Sequence, residues 1–145
     1  LLVPTSFGIP RRTANGMDYN RLNMLLAVME RSLGISCSKY DAYINITGGM
    51  RISEPAIDLA IILSLLSSYR NLPVSEDIMV FGEVGLSGEV RAVRQGKQRI
   101  EEAKRLGFHH IILPAYHLPK EQYDSSGIHL IPVKNIREAL TIFKS

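Results

Sequence analysis

The chain has no tryptophan and a single cysteine, Cys37, among 145 residues. One cysteine excludes an internal disulfide, and nothing in the cysteine usage suggests secretion. No charged-then-apolar leader opens the chain, so a cytoplasmic location is expected and Asn45-Ile46-Thr47 reads as a chance glycosylation match. Long hydrophobic runs are missing too. The longest, Leu59 to Leu66, is interrupted by Ser64 and is far too short to span a bilayer. No Gly-x-x-x-x-Gly-Lys-Ser/Thr phosphate loop and no Cys-x-x-Cys pair occurs, so neither ATP nor zinc is expected to bind these residues. His109-His110 and His117 have no cysteine or carboxylate at ligand spacing, and no metal site is expected.

What is present describes one α/β domain with a sizeable core. Hydrophobic residues make up 46% of the chain, and the net charge is +3. That mild basicity favours a polyanionic partner only weakly. Leu1-Leu2-Val3 reads as a strand entered mid-flow, as in a domain excised from the C-terminal end of a longer protein. Pro10-Arg11-Arg12 follows in a loop or hairpin that turns at Asn15-Gly16. Asp18 suits a helix N-cap, and Leu22, Leu25, Leu26, Met29 and Leu33 recur at helical spacing before Gly34. Tyr40 to Thr47 alternates as a half-buried strand.

Glu54-Pro55 opens a long apolar helix running to about Tyr69. The spacing then predicts a strand over 78–84, a turn at Gly85–Gly88, a returning strand to Val93 and a helix from Lys97 to Leu106. A short strand at Ile111–Leu113, another at His129–Val133 and a final helix from Ile136 to Phe143 complete the chain. Strands and helices alternate, so mixed packing in two layers is expected.

The segments Gly82-Glu83-Val84, Gly88-Glu89-Val90, Gly107-Phe108 and Ile112-Leu113-Pro114 resemble the proteolytic domain of Lon-type serine–lysine proteases. Aligned without a gap from Pro55 to Pro114, the resemblance puts Ala56 at the nucleophilic serine and Arg99 at the activating lysine. It puts Asp58 where those proteases carry a glycine. Alanine offers no nucleophile, and arginine stays protonated, so it cannot act as the base. A displaced pair, Ser53 with Lys97, would make a peptidase; the simpler expectation is a capping Ser53 and a solvated Lys97.

Pro10-Arg11-Arg12, Asn15 to Leu22, Gly48-Gly49-Met50-Arg51 and Phe81 to Arg91 are closer still to the C-terminal Lon-like domain of the RadA, or Sms, family of bacterial repair and recombination proteins. The resemblance covers essentially the whole chain. It implies a two-layer Lon-like fold at the end of a protein that begins with a zinc finger and a RecA-like ATPase. ATP, magnesium and zinc would belong to that upstream part. It further implies an ATP-dependent branch-migration motor, a hexameric ring, a recombinase partner and contact with duplex DNA. The cations available for phosphate are Arg11, Arg12, Arg21, Arg51, Arg91, Arg94, Lys97 and Arg99. Asp58, a carboxylate inside an apolar helix, needs a partner, and Arg99 is the expected one. A protein–protein docking module remains the alternative if the arginines pair with Glu54, Glu83 and Glu89.

Overall fold

The structure is a computed structural model that describes residues 1–6, 8–47, 54–117 and 127–143. Its first sheet takes β1 (Leu2–Pro4), β2 (Arg12–Asn15) and β3 (Tyr40–Asn45) in the order β1-β3-β2. β1 runs antiparallel to β3, and β2 runs parallel to it. β2 replaces the expected loop at Arg12. Its Arg-Thr-Ala-Asn has no apolar alternation, because the strand lies at the sheet edge with its residues half-buried or exposed.

Helix α1 (Tyr19–Leu33) forms where its caps require. The Asp18 side chain accepts from the Asn20 amide, and Gly34 closes the helix in the left-handed region at φ 71°. Leu22, Leu25, Leu26 and Met29 are buried on its inner face. The next helix starts later than its sequence suggests. Pro55–Ile57 makes a 3-10 turn, and α2 (Asp58–Arg70) follows. Pro55 tolerates this first turn because a backbone N–H there has no helical partner to lose.

The expected strand over 78–84 is in fact two. β4 (Ile78–Val80) belongs to a parallel sheet with β7 (His110–Pro114) and β8 (His129–Val133), ordered β4-β7-β8. β5 (Glu83–Val84) instead pairs with β6 (Val90–Arg91) as a separate hairpin. The break falls at Gly82. Its amide donates to the Ala56 carbonyl at 2.9 Å, and its own carbonyl accepts from the Leu59 amide at 3.1 Å. Those two bonds draw the chain off the sheet and onto the start of α2. A Cβ at Gly82 would sit 2.9 Å from Val90 Cγ1, which is why the approach needs glycine.

Helix α3 (Gly96–Arg105) supplies the crossover that a parallel β4–β7 pair demands. The alternation along β7 gives its sheet two covered faces. Ile111 and Leu113 pack with Ile100 and Ala103 of α3, whereas Ile112 joins the core of α1 and α2. The expected last helix is split into α4 (Ile136–Ala139) and a 3-10 turn over Leu140–Phe143. Mixed sheets with packed helices make this an α/β fold, as expected. Among the described residues no helix is long and apolar enough to cross a membrane.

Cys37 is buried beneath the 3-10 turn that precedes β3. Burial pushes its thiol above the ordinary value, with Glu30 adding to the effect and Arg12 opposing it. A raised thiol contributes stability that is fully present below the unfolded value, about 8.5. That stability is lost as pH rises through the folded value. The native chain should therefore resist aromatic disulfide reagents until it is unfolded. Prompt labelling at neutral pH without denaturant would contradict this.

Candidate functional site

The 3-10 turn before α2, strand β5 and the segment after β6 meet around a cavity of about 500 Å³. Its walls are Glu54, Pro55, Ala56, Glu83, Ala92, Val93 and Arg94. Ala56, at the position matched to a nucleophile, is buried and contributes only a methyl group. Arg99, at the position matched to a base, comes from the first turns of α3 and forms an ion pair with Glu54. Its Nε donates to the Arg94 carbonyl at 3.0 Å, and its guanidinium lies 5.8 Å from the Phe81 ring centre. Burial lowers the Arg99 pKa from its ordinary value. That value is so high that the group still holds its proton. Among the described residues, the charged groups on these walls are Glu54, Glu83 and Arg94, and no hydroxyl, thiol or neutral amine lines them.

Asp58 does not pair with Arg99. Its partner is Arg21 of α1, whose Nε donates to Oδ1 at 2.5 Å and whose Nη2 donates to Oδ2. The Val84 amide adds a third bond to Oδ2 at 3.0 Å. The carboxylate is fully buried and fully engaged. The reason is geometric: α1 packs on α2 with Arg21 in its first turn, whereas Arg99 is held elsewhere by Glu54 and the Arg94 carbonyl. The Asp58 hydrogen bond raises the Arg21 pKa, with the charges of Asp58, Glu83 and Asp18 adding and burial opposing.

The remaining cations divide by what already holds them. Arg12 spends its guanidinium on the backbone, donating to the carbonyls of Tyr40 and, at 2.8 Å, Cys37. That use fastens β2 to the turn before β3. Arg91 is 55% exposed, and among the described residues its side chain meets Glu89, at 3.5 Å. Arg11, Arg94 and Lys97 are exposed, and no side-chain ion pair holds them among the described residues. Arg91, Arg94 and Lys97 follow one another from β6 into α3; Arg94 lines the cavity, whereas Lys97 lines a separate concavity with Glu101 and Glu102. Arg51 and Ser53 lie outside the described residues.

Gln95, between Arg94 and α3, adopts a left-handed conformation at φ 59°. That conformation costs a non-glycine residue about 1–2 kcal/mol and places the strain beside the exposed cations. His117, read at first only as a poor metal ligand, is buried, and its Nε2 accepts from the Val93 amide at 3.1 Å. His109 Nδ1 lies 2.7 Å from Asp77 instead. Among the described residues no three ligating side chains are arranged to hold a metal ion. The His117 contact had no signal in the chain order, since histidine and amide come from segments 24 residues apart.

The family model described as subunit ChlI of Mg-chelatase matches residues 21–117, which carry α1, α2, the hairpin and β7. The chain belongs to that family. Its relatives include proteins named DNA repair protein RadA. The Bacillus subtilis protein is 47% identical over 97% of this chain and 30% of its own length. The Escherichia coli protein is 42% identical over 92% of this chain and 29% of its own length. The Pseudomonas aeruginosa protein is 46% identical over 96% and 30%. The chain thus spans about 30% of the length of these curated relatives.

Proposed function

We propose that this chain is a non-proteolytic, Lon-like domain of a DNA repair and recombination protein, and that it contacts duplex DNA through backbone phosphates. The carrying observation is a cavity whose two would-be catalytic positions hold a buried methyl and an ion-paired guanidinium, with exposed Arg94 in its wall and exposed Arg91 and Lys97 near it in the chain. Contact of this kind is electrostatic and indifferent to sequence, since nothing here offers a helix to read base edges. Arg11 belongs to the same pool of exposed cations that hold no ion pair among the described residues. Arg12, Arg21 and Arg99 serve it less, because their donors are spent inside the fold.

The RadA relatives support the repair role. The rest of such a protein would carry the zinc finger and the RecA-like ATPase with their zinc, magnesium and ATP. Its cytoplasmic assembly would be a hexameric ring working with a recombinase, in which this domain joins subunits and holds DNA. Multiple weak contacts around a ring add through effective concentration.

A pure docking module gains some support from the Arg99–Glu54 and Arg91–Glu89 pairs. Arg94 and Lys97, exposed and without an ion pair among the described residues, weigh against it. The test is a casein-cleavage assay run beside fluorescence anisotropy of a labelled duplex at low salt. We expect no cleavage and clear duplex binding. Cleavage that depends on Ser53 would replace this reading with the peptidase. Absence of both activities would leave the docking module.

A further inference from the structure

The cavity beside the 3-10 turn before α2 holds a carboxylate, Glu83, that joins no ion pair and accepts no hydrogen bond among the described residues. Strand β5 places it in the cavity wall, half-buried. The other charges nearby are already matched. Arg21, whose charge reaches Glu83, donates to both oxygens of Asp58. Arg99 pairs with Glu54. Arg94 lines the same cavity, exposed, and forms no ion pair with Glu83. Between these charged groups the walls are apolar, made by Pro55, Ala56, Ala92 and Val93.

A half-buried carboxylate beside an apolar wall suits a cation that brings an apolar stem. Lysine is built this way, with an ammonium donor group at the end of a methylene chain that lies well on apolar surface. The ammonium would replace water at Glu83, and the stem would cover Pro55, Ala56, Ala92 and Val93. Arg94 would repel a bare amine, so the wall favours a ligand that also carries an acceptor. A peptide carbonyl beside the lysine supplies one. A phosphate fits this cavity poorly, because Glu54 and Glu83 line it. Charge and wall chemistry together thus favour a basic peptide segment over a nucleic-acid strand inside the cavity.

We infer that this cavity docks a lysine side chain of a partner protein, with the ammonium on Glu83, the stem on the apolar walls and a peptide carbonyl at Arg94. Arg94 also belongs to the proposed DNA contact, so the test is run without DNA and its result does not depend on that reading. The isotope-labelled chain is titrated with capped Ala-Lys-Ala and with capped Ala-norleucine-Ala, which keeps the stem and lacks the ammonium. The lysine peptide should shift the backbone amide signals of Glu83, Ala92 and Arg94. It should bind roughly tenfold or more tighter than the norleucine peptide. Glu83→Gln should remove that preference. Glu89→Gln, at an exposed carboxylate outside the cavity, should keep it. Thermal melts establish that both variants fold.

Equal binding of the two peptides by the wild type overturns the inference without recourse to any variant. A lysine preference that survives Glu83→Gln overturns it too, as do amide shifts confined to other surfaces. Equal saturation by n-butylammonium at the same concentration overturns the peptide assignment and makes the ligand a free amine.

Discussion

Asp58→Ala is expected to destabilise the fold by about 3–5 kcal/mol, read as a lower urea midpoint at an unchanged slope. The carboxylate is fully buried and accepts from two Arg21 nitrogens and from the Val84 amide. Its removal leaves a half-buried guanidinium without a counter-charge and an amide without an acceptor. It also removes, at one point, the polar bonds by which α2 holds both α1 and β5.

Arg21→Ala should cost a similar amount, because it strands the buried carboxylate. The raised Arg21 pKa contributes stability that is fully present below the unfolded arginine value, which lies far above neutrality. That part is lost only as pH rises through the still higher folded value. Arg21 therefore adds no pH dependence near neutrality. An unchanged midpoint in Asp58→Ala would contradict this account of the helix interface.

The second large effect is on binding. Arg91→Ala combined with Arg94→Ala should weaken duplex binding at low salt and flatten its salt dependence. Each phosphate contact contributes a slope near −0.9, so losing two reduces the slope by about 1.8. Across a fourfold rise in salt, that reduction narrows the gap between wild type and variant by about tenfold. The measurement is anisotropy of one duplex with both proteins at two salt concentrations. Both side chains are exposed, and Arg91 loses only an exposed pair worth at most about 1 kcal/mol. The variant should therefore melt like the wild type. Equal slopes for the two proteins would remove these arginines from the interface.

Much of this was legible in the residues. Asp18 and Gly34 mark α1 because a capping carboxylate and a left-handed glycine solve local backbone problems. The short strand at Ile111–Leu113 is visible because both faces of its sheet are covered, which needs an unbroken apolar run. Edge strand β2 was not visible, since Arg-Thr-Ala-Asn packs little and is held through backbone and the Arg12 side chain. The break at Gly82 was not visible either. It depends on the carbonyl of Ala56 and the amide of Leu59, more than twenty residues earlier in the chain.

At the site, chemistry was readable and pairing was not. Asp58 announced that it needed a cation, because an unpaired buried carboxylate is too costly. Which of two arginines supplies the cation is set by how α1 lies on α2, and no local pattern encodes that packing. The buried contact of His117 with the Val93 amide showed nothing in the sequence, since its two partners lie 24 residues apart.

The most direct test of the central claim is the affinity of this chain for a labelled duplex, titrated against salt, with its mass recorded by light scattering in the same buffer. The account predicts binding at low salt whose logarithm falls linearly with the logarithm of salt concentration, with a slope of about −2 or steeper. A flat line, or no binding at low salt by a sample of established mass, would contradict a phosphate-contacting role.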